Sequence, residues 1–472
     1  MRQYVRTASA TTIQMVANQF FGLLFFLGMA LLLPKDLFGR INWAIAVCAT
    51  LTIISSLGFD HVIVGKLGAG ETVKDTVGVY IGHTILLALI GVSGLAIFHW
   101  LKPSFFQHNP EFIAIYAGLF ATFMSMPFKQ LANGKQHFGA LAWMGVSGNF
   151  FKVVILFSLY FSHAVNDKNI ALLFLISGLL EWIFCFAIAT GFSGKILLPT
   201  IDFSKYKALV FFSFPQLGVI LLDSAFARID WILMGIISTN ALTADYSFAY
   251  KAYESSRLPL LIIAPIILPK LSKLYSQGGI SKEKASELNF LWRAESLICV
   301  VIPLLLNICW DDVVNLVTHN RYGVSTRWVY AVLSLSLPMA YIINYLWTIA
   351  FSTGRLRLTF YFTAITLGVN FGLNLILIPL YGALGAAIAF TTSTAVQMVL
   401  YIWRVREPKL SMRYLDFALT CFSAIALVAL TTVLPIHWFL KLVLAFLLYT
   451  IFAKIVGLVS LRRPFILRND KP

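Results

Sequence analysis

Apolar residues run along this chain in blocks of about 20, the length a helix needs to cross a hydrocarbon layer of about 30 Å. The blocks lie near residues 11–33, 41–58, 76–98, 112–131, 138–162 and 169–190. After a more polar stretch they resume near 208–237, 245–272, 286–308, 327–352, 358–378, 382–403, 413–434 and 437–459. This pattern predicts an all-α polytopic membrane protein of about 14 transmembrane helices. The polar break at 191–207 and the basic stretch Arg404–Arg413 divide it into a six-helix lobe at 1–200, a second at 201–406, and an additional two-helix hairpin with a basic tail at 407–472. Six plus six plus two suggests a duplicated bundle with an added pair. The stretch Phe38-Gly39-Arg40-Ile41-Asn42 opens the second helix, and Ala244-Asp245-Tyr246-Ser247 opens its counterpart in the later half. Internal repeats of this kind are common in transporters.

Composition agrees. The 472 residues are 59% hydrophobic and 12% charged, with a mean hydropathy of +0.83. A soluble domain carries roughly 25% charged residues, so most of this surface faces something other than water. The net charge of +16 would suggest a nucleic-acid partner in a soluble chain. Here the basic residues sit in short loops, so topology explains them and no nucleic acid is implied. With a cytoplasmic N-terminus, 23 Lys and Arg residues fall on the cytoplasmic side, Lys129 at the end of its apolar block among them, against 6 opposite. That bias predicts two cytoplasmic termini and an even number of helices. Arg2 and Arg6 precede an apolar run without a small-residue cleavage site, so the first helix is expected to stay as an anchor. Cys48, Cys185, Cys299, Cys309 and Cys421 all lie in apolar runs and read as packing residues.

Charged side chains inside spans are costly and default to functional hypotheses. Four basic ones matter (Lys152, Arg228, Lys251, Arg257), and four acidic ones match them (Glu181, Asp223, Asp230, Glu254); six of these eight fall in the helices at 208–237 and 245–272. Gln216, Asp223 and Asp230 are seven apart and share a helix face. Lys251, Glu254 and Arg257 are three apart and form a ladder on the next helix. Depth matching across the short loop at 238–244 pairs Asp230 with Lys251 and Asp223 with Arg257. Two readings stay open: structural ion pairs joining two helices, or a polar, water-reached cavity that handles an ionic substrate or a coupling cation. Lys152 and Glu181, near mid-depth on adjacent helices, read as a structural pair.

Other polar residues read as packing. Gln14, Asn18 and Gln19 form a stripe on the first helix, and Asn370 and Asn374 lie four apart on another; such amides often bond across helices. His83, alone in its span, reads as a satisfied packing histidine. Gly78–Gly82 and Gly368–Gly372 mark close helix approach. Pro215, Pro259, Pro265 and Pro269 sit in or at the end of the charged helices, where proline bends a helix.

The sequence lacks a G-x-x-x-x-G-K-[ST] loop, an H-E-x-x-H or Cys/His cluster, and a G-x-S-x-G elbow. These absences argue against ATP as energy source, a metal hydrolase and a serine hydrolase. No metal or cofactor is implied. No loop could fold as a separate catalytic domain. The longest on the non-cytoplasmic side, Asp311 to Thr326, holds Asp311, Asp312, His319 and Arg321.

The stretch Asn374–Ser393, NLILIPLYGALGAAIAFTTS, resembles the C-terminal signature of the polysaccharide-biosynthesis flippases, the Wzx-type branch of the MOP exporter superfamily. Residues 207–271 are similar too: Pro215, the run Asp230 to Gly235, Tyr246, and Pro269-Lys270-Leu271. Phe38-Gly39 and Leu57-Gly58-Phe59 are weaker matches. The resemblance implies a non-enzymatic flippase of a bacterial inner membrane. It would move an undecaprenyl-pyrophosphate-linked oligosaccharide, an O-antigen (lipopolysaccharide) or exopolysaccharide repeat unit, between leaflets by alternating access. It also implies that Arg228, Lys251, Arg257 and, less directly, Lys152 meet the pyrophosphate and acidic sugars. Each acid beside a base could take a coupling ion, H⁺ or Na⁺: Asp223, Asp230, Glu254 and Glu181. Implied partners are the lipid-linked substrate, membrane lipids, and polysaccharide polymerase and chain-length machinery. The uncharged first-helix stripe departs from the cationic first lobe of lipid II flippase relatives. Rival readings are a MATE-type multidrug exporter, which would favour acids facing cationic drugs, a lipid II flippase, and a membrane polysaccharide polymerase or ligase, for which the loop at 311–326 is short.

Overall fold

The computed structural model describes the backbone of every residue except 1, 261–262, 264–266, 269–270, 272–273, 276–281, 408–409, 411 and 457–472, and it leaves the side chains at 2–12, 61, 215–216, 219 and 282–283 undescribed. Nearly everything described is helical, because the apolar blocks satisfy their backbone hydrogen bonds internally, as hydrocarbon requires. The first unit begins with α1 (Arg2–Leu32), α2 (Lys35–Ser55) and α3 (Phe59–Gly68). It continues with α4 (Val79–Leu101), α5 (Pro103–His108), α6 (Phe112–Met124), α7 (Met126–Gly134), α8 (Phe138–Phe161), α9 (Asp167–Ser193) and α10 (Phe203–Ile237). A π-helical turn at Lys74–Gly78 leads into α4. Then come α11 (Asn240–Ser256), α12 (Lys282–Ile298), α13 (Val301–Thr318), α14 (Gly323–Ser334) and α15 (Ser336–Ser352). The chain closes with α16 (Leu356–Tyr381), α17 (Ala383–Arg404), α18 (Tyr414–Val433) and α19 (Trp438–Ile455).

Twelve stretches among the described residues are long and apolar enough to cross a membrane. A further long helix, α10, runs 35 residues, about 52 Å. The expected span at 245–272 lies partly outside the described residues, as do Pro265, Pro269 and Lys270. Apolar side chains such as Leu89, Val92 and Phe211 stand exposed, 64%, 66% and 80%, which water would penalise and lipid accepts.

The chain divides into two compact units: Met1–Ser247 with Asn374–Ala383, and Phe248–Leu373 with Leu384–Pro472. This differs from the lobes expected at 1–200, 201–406 and 407–472. The cause is α10, which packs on α2 and α3 of the first unit. Trp43 Nε1 donates to the Ile232 carbonyl at 3.3 Å, and a Cβ on Gly235 would collide with the Trp43 ring. A Cβ on Gly39 would likewise overlap the Asn240 carbonyl oxygen. The two stretches that read as faint repeats, 38–42 and 244–247, therefore meet at the Gly39 seat: a Cβ there would stand 3.2 Å from the Ala244 nitrogen.

In the second unit one apolar core joins α12, α15, α18 and α19 around Trp292, Tyr341, Tyr345, Phe417 and Tyr449. Tyr449 donates to the Leu297 carbonyl at 2.7 Å and so fixes α19 to α12.

Several expectations change. The outer loop expected at 311–326 is mostly helix, since α13 continues to Thr318 and α14 starts at Gly323. Asp311, placed there, forms an ion pair of 2.6 Å with Arg327. α2 starts at Lys35, six residues earlier than the apolar pattern, so Lys35 and Arg40 are helical; Arg40 meets Glu111 at 3.0 Å. The chain turns at Leu57-Gly58, where both residues have positive φ, 48° and 77°; glycine adopts this freely, whereas it is uncommon for leucine. Gly78 and Gly82 approach a segment rather than a helix, with Thr200 over both. A Cβ at Gly368 or Gly372 would meet nothing within 4 Å among the described residues, so the close approach expected there is not seen among them.

Candidate functional site

α10 carries the acids and bases that mark the site. Asp202 caps its start, accepting from the backbone N–H of Ser204 and Lys205 at 3.0 and 3.1 Å. Those N–H groups, with the Lys205 ammonium, hold the Asp202 carboxyl below the usual carboxylate range. Further along, Asp230 is 2% exposed. It accepts from the Tyr246 hydroxyl at 2.8 Å and from the Asn374 amide at 2.5 Å. Three segments, α10, α11 and the end of α16, thus converge on one carboxylate. Both donors are neutral, and each oxygen of Asp230 receives one of them. Two turns before it, Asp223 is exposed, while Ser224 beside it is buried. Arg228 donates to Ser224 at 3.2 Å. Nearby, Lys35 reaches the buried Asp245 at 2.7 Å.

The signature resembling the flippases gains a physical reason. Asn374, its first residue, is a ligand of Asp230. Pro379 lies within the last turn of α16, and Gly382 takes φ +55° to let the chain turn into α17. Gly382 donates to the Ile378 carbonyl at 2.8 Å, closing the helix. Ala386, Ala387 and Ala389 are fully buried, where small side chains permit close helix contact.

In the second unit, Lys251 donates to Glu254 at 2.6 Å. Arg257 lies over the Tyr253 ring, 5.9 Å from its centre, a cation–π arrangement. Part of the expected ladder is present: Lys251 and Glu254 pair along the helix, whereas Arg257 lies just past the end of α11 at Ser256. The expected pairings Asp230–Lys251 and Asp223–Arg257 join residues of different units.

Glu181 differs from expectation. Its carboxylate accepts from Lys129 Nζ at 2.5 Å and from the Thr122 hydroxyl at 2.8 Å. The lysine on it is Lys129, which the loop count had assigned to the cytoplasmic side, and not Lys152. The reason is that α7 continues the span begun by α6, so Lys129 points into the bundle, 13% exposed, against Glu181 at 5%. A lysine just inside the edge of an apolar block gives no sequence sign of this. Gly148 permits the arrangement, since a Cβ there would strike the carboxylate. Glu295 also escaped notice: it is 1% exposed, and neither of its oxygens has a hydrogen-bond partner among the described residues.

Three of the residues read as packing bond as expected. Asn149 donates to the Asn18 side chain at 2.9 Å, joining α1 to α8, and Asn370 donates to Ser393 at 3.3 Å. His83 lies between the Ser55 carbonyl at 2.8 Å and the Tyr206 hydroxyl at 3.1 Å. All five cysteines are free, and four are buried. No group of three or more metal-ligating side chains occurs among the described residues.

Membrane-crossing helices with a polar core on α10 define a multi-pass membrane protein with a transporter's fold. A lipid II flippase, MurJ, in an inward closed conformation superposes with a TM-score of 0.77, at 13% identity over 96% of this chain and 98% of that one. An inward-facing multidrug-resistance MATE transporter of the MOP superfamily superposes at 0.63, with 14% identity over 82% and 93% of the two chains. Another MOP superfamily transporter, from Pyrococcus furiosus, superposes at 0.58, with 14% identity over 91% and 96%. At these identities the likeness concerns the fold. The chain belongs to the family described as "Polysaccharide biosynthesis protein", whose sequence pattern matches residues 4–275. It is also 24% identical over 382 residues to the capsular polysaccharide biosynthesis protein CapF of Staphylococcus aureus, covering 78% of this chain and 91% of that one.

Proposed function

We propose that the protein is a flippase that carries an undecaprenyl-pyrophosphate-linked oligosaccharide across a bacterial inner membrane by alternating access. Membership of a polysaccharide-biosynthesis family and a transporter fold support the general class. The observation that carries the reading is Asp223, a carboxylate left exposed midway along residues 208–237. An acid at mid-membrane costs about 3 kcal/mol when it faces hydrocarbon, so its exposure calls for water. A hydrated passage lowers the cost of moving a pyrophosphate and sugars, while the polyprenyl chain stays in lipid. Arg228, Lys251 and Arg257 supply the positive charge, and Lys152 adds to it. Asp223 and Asp230 exchange the coupling cation, H⁺ or Na⁺, pairing with Arg257 and Lys251 in part of the cycle, and Glu254 already neutralises Lys251. Glu181 is committed to Lys129 and takes no part.

The test is the lipid-linked saccharide that accumulates when the protein is removed from its host. Repeat units trapped on the cytoplasmic leaflet, with their sugars identified by mass spectrometry, are expected. Units accumulating on the outer leaflet would indicate a polymerase instead, and accumulation of lipid II would replace the oligosaccharide with a cell-wall precursor.

A further inference from the structure

The second unit holds a basic cavity of about 970 Å³ that the site above does not use. Its walls include Arg355, Arg357 and Arg404, with Leu356, Leu358 and Tyr361 between them. The geometry follows from the chain. α15 ends at Ser352 and Gly354 takes φ +73°. That turn places Arg355 just before α16 and Arg357 in its first turn. Arg404 ends α17.

Among the described residues that line the cavity there are three guanidinium groups and no carboxylate. Among the described residues none of the three has an ion pair. Arg355 is close enough for its charge to act on Tyr275, but the Tyr275 hydroxyl is given to Glu407 at 2.7 Å. Arg404 stacks over Trp403, 5.8 Å from the ring centre. Like charges gathered in one cavity repel unless an anion or water separates them, and guanidinium forks match phosphate oxygens in pairs.

Position specifies the ligand further. One membrane-crossing stretch ends at Ser352, the next begins at Leu356, and a third ends at Arg404. Three span ends meet here, so the cavity sits where hydrocarbon gives way to water. Tyr361 and Trp403 are exposed beside it, 62% and 64%, as aromatic residues are at that boundary. Lipid phosphates occupy the same depth.

We infer that this cavity binds the phosphate group of a membrane-anchored lipid, with Arg355, Arg357 and Arg404 as its ligands. The phosphate has two sources, a phospholipid headgroup or the pyrophosphate of a polyprenyl carrier. The proposed function does not depend on this cavity, and the experiment separates the two.

Full-length protein, delipidated in neutral detergent, is titrated with phosphatidylglycerol, geranylgeranyl pyrophosphate and phosphatidylcholine, and bound lipid is counted by native mass spectrometry. Each basic residue near a lipid phosphate contributes about a 5-fold change in affinity, so an Arg355→Gln/Arg357→Gln/Arg404→Gln variant should lose on the order of 100-fold. The single Arg357→Gln variant, which keeps two guanidiniums if the triple variant does not fold, should lose about 5-fold. Loss for both anionic probes, with phosphatidylcholine unaffected, assigns a phospholipid headgroup site. Loss confined to the pyrophosphate probe assigns a carrier site. If Arg357→Gln binds both anionic probes as tightly as the parent protein, the inference is wrong.

Discussion

Replacing Lys129 with methionine tests how buried charge is tolerated in this bundle. The substitution keeps most of the side-chain volume and removes the ammonium that meets Glu181 at 2.5 Å. Glu181 would remain 4% exposed with only the Thr122 hydroxyl as donor. Removing one partner of a buried ion pair costs about 3–5 kcal/mol, because the other charge is left without compensation. For a chain of this length the unfolding entropy is about 1 kcal/mol per degree, which converts the loss to a fall of roughly 3–5 °C in Tm. Unfolding within detergent exposes less, so the shift should be at least that large. The companion variant Lys129→Met/Glu181→Gln removes both charges and keeps an acceptor for Thr122; it should recover most of the loss. Thermal unfolding of the purified protein can be followed with a thiol-reactive dye, since Cys48, Cys185, Cys299 and Cys309 are buried until the fold opens. A Lys129→Met protein within about 1 kcal/mol of the parent, or a double variant no more stable than the single, would refute the reasoning.

Asp223→Asn and Asp230→Asn should each slow transport in a reconstituted or whole-cell flipping assay while leaving Tm within a few degrees; unchanged transport in both removes the basis for cation coupling. Gly39→Ala should destabilise by about 1–3 kcal/mol, because its methyl would overlap the Asn240 carbonyl. Gly368→Ala meets no atom within 4 Å and should raise stability by about 0.5–1 kcal/mol through helix propensity; thermal melts of the pair read both signs. Asp202→Ala should lower Tm at neutral pH. The folded-state pKa of Asp202 is depressed, so its contribution is present above the unfolded carboxyl value of about 3.9 and fades as pH falls through the lower folded value. The gap in Tm between Asp202→Ala and the parent should therefore close in acid, and a gap that widens there contradicts the capping role.

How much of this was legible beforehand varies from residue to residue. Asp223, Arg228 and Asp230 stood out because ionised groups are rare in apolar blocks, and the structure keeps them on one unbroken helix. Asn374 read as simple glue, since an amide at that spacing looks the same whether it meets another amide or a carboxylate. Lys129 looked like a loop residue, and only the continuation of the helix through α7 turns it inward.

The sequence by itself determined the architecture class. Hydrocarbon demands apolar runs about 20 residues long with internally satisfied backbones, and that demand is written directly in residue order. Residue order also marked α10 as the helix unlike its neighbours, because a charge in such a run has no cheap explanation. Tertiary structure alone decided which groups meet: Glu181 with Lys129, Asp230 with Tyr246 and Asn374, and the Gly39 seat against Asn240. Periodicity fixes the face of a helix but not its neighbour, and these contacts join residues far apart in the sequence, the hydrogen bonds to Asp230 alone spanning 16 and 144 residues. They depend on how helices rotate and cross, which side-chain packing sets only once the bundle has assembled.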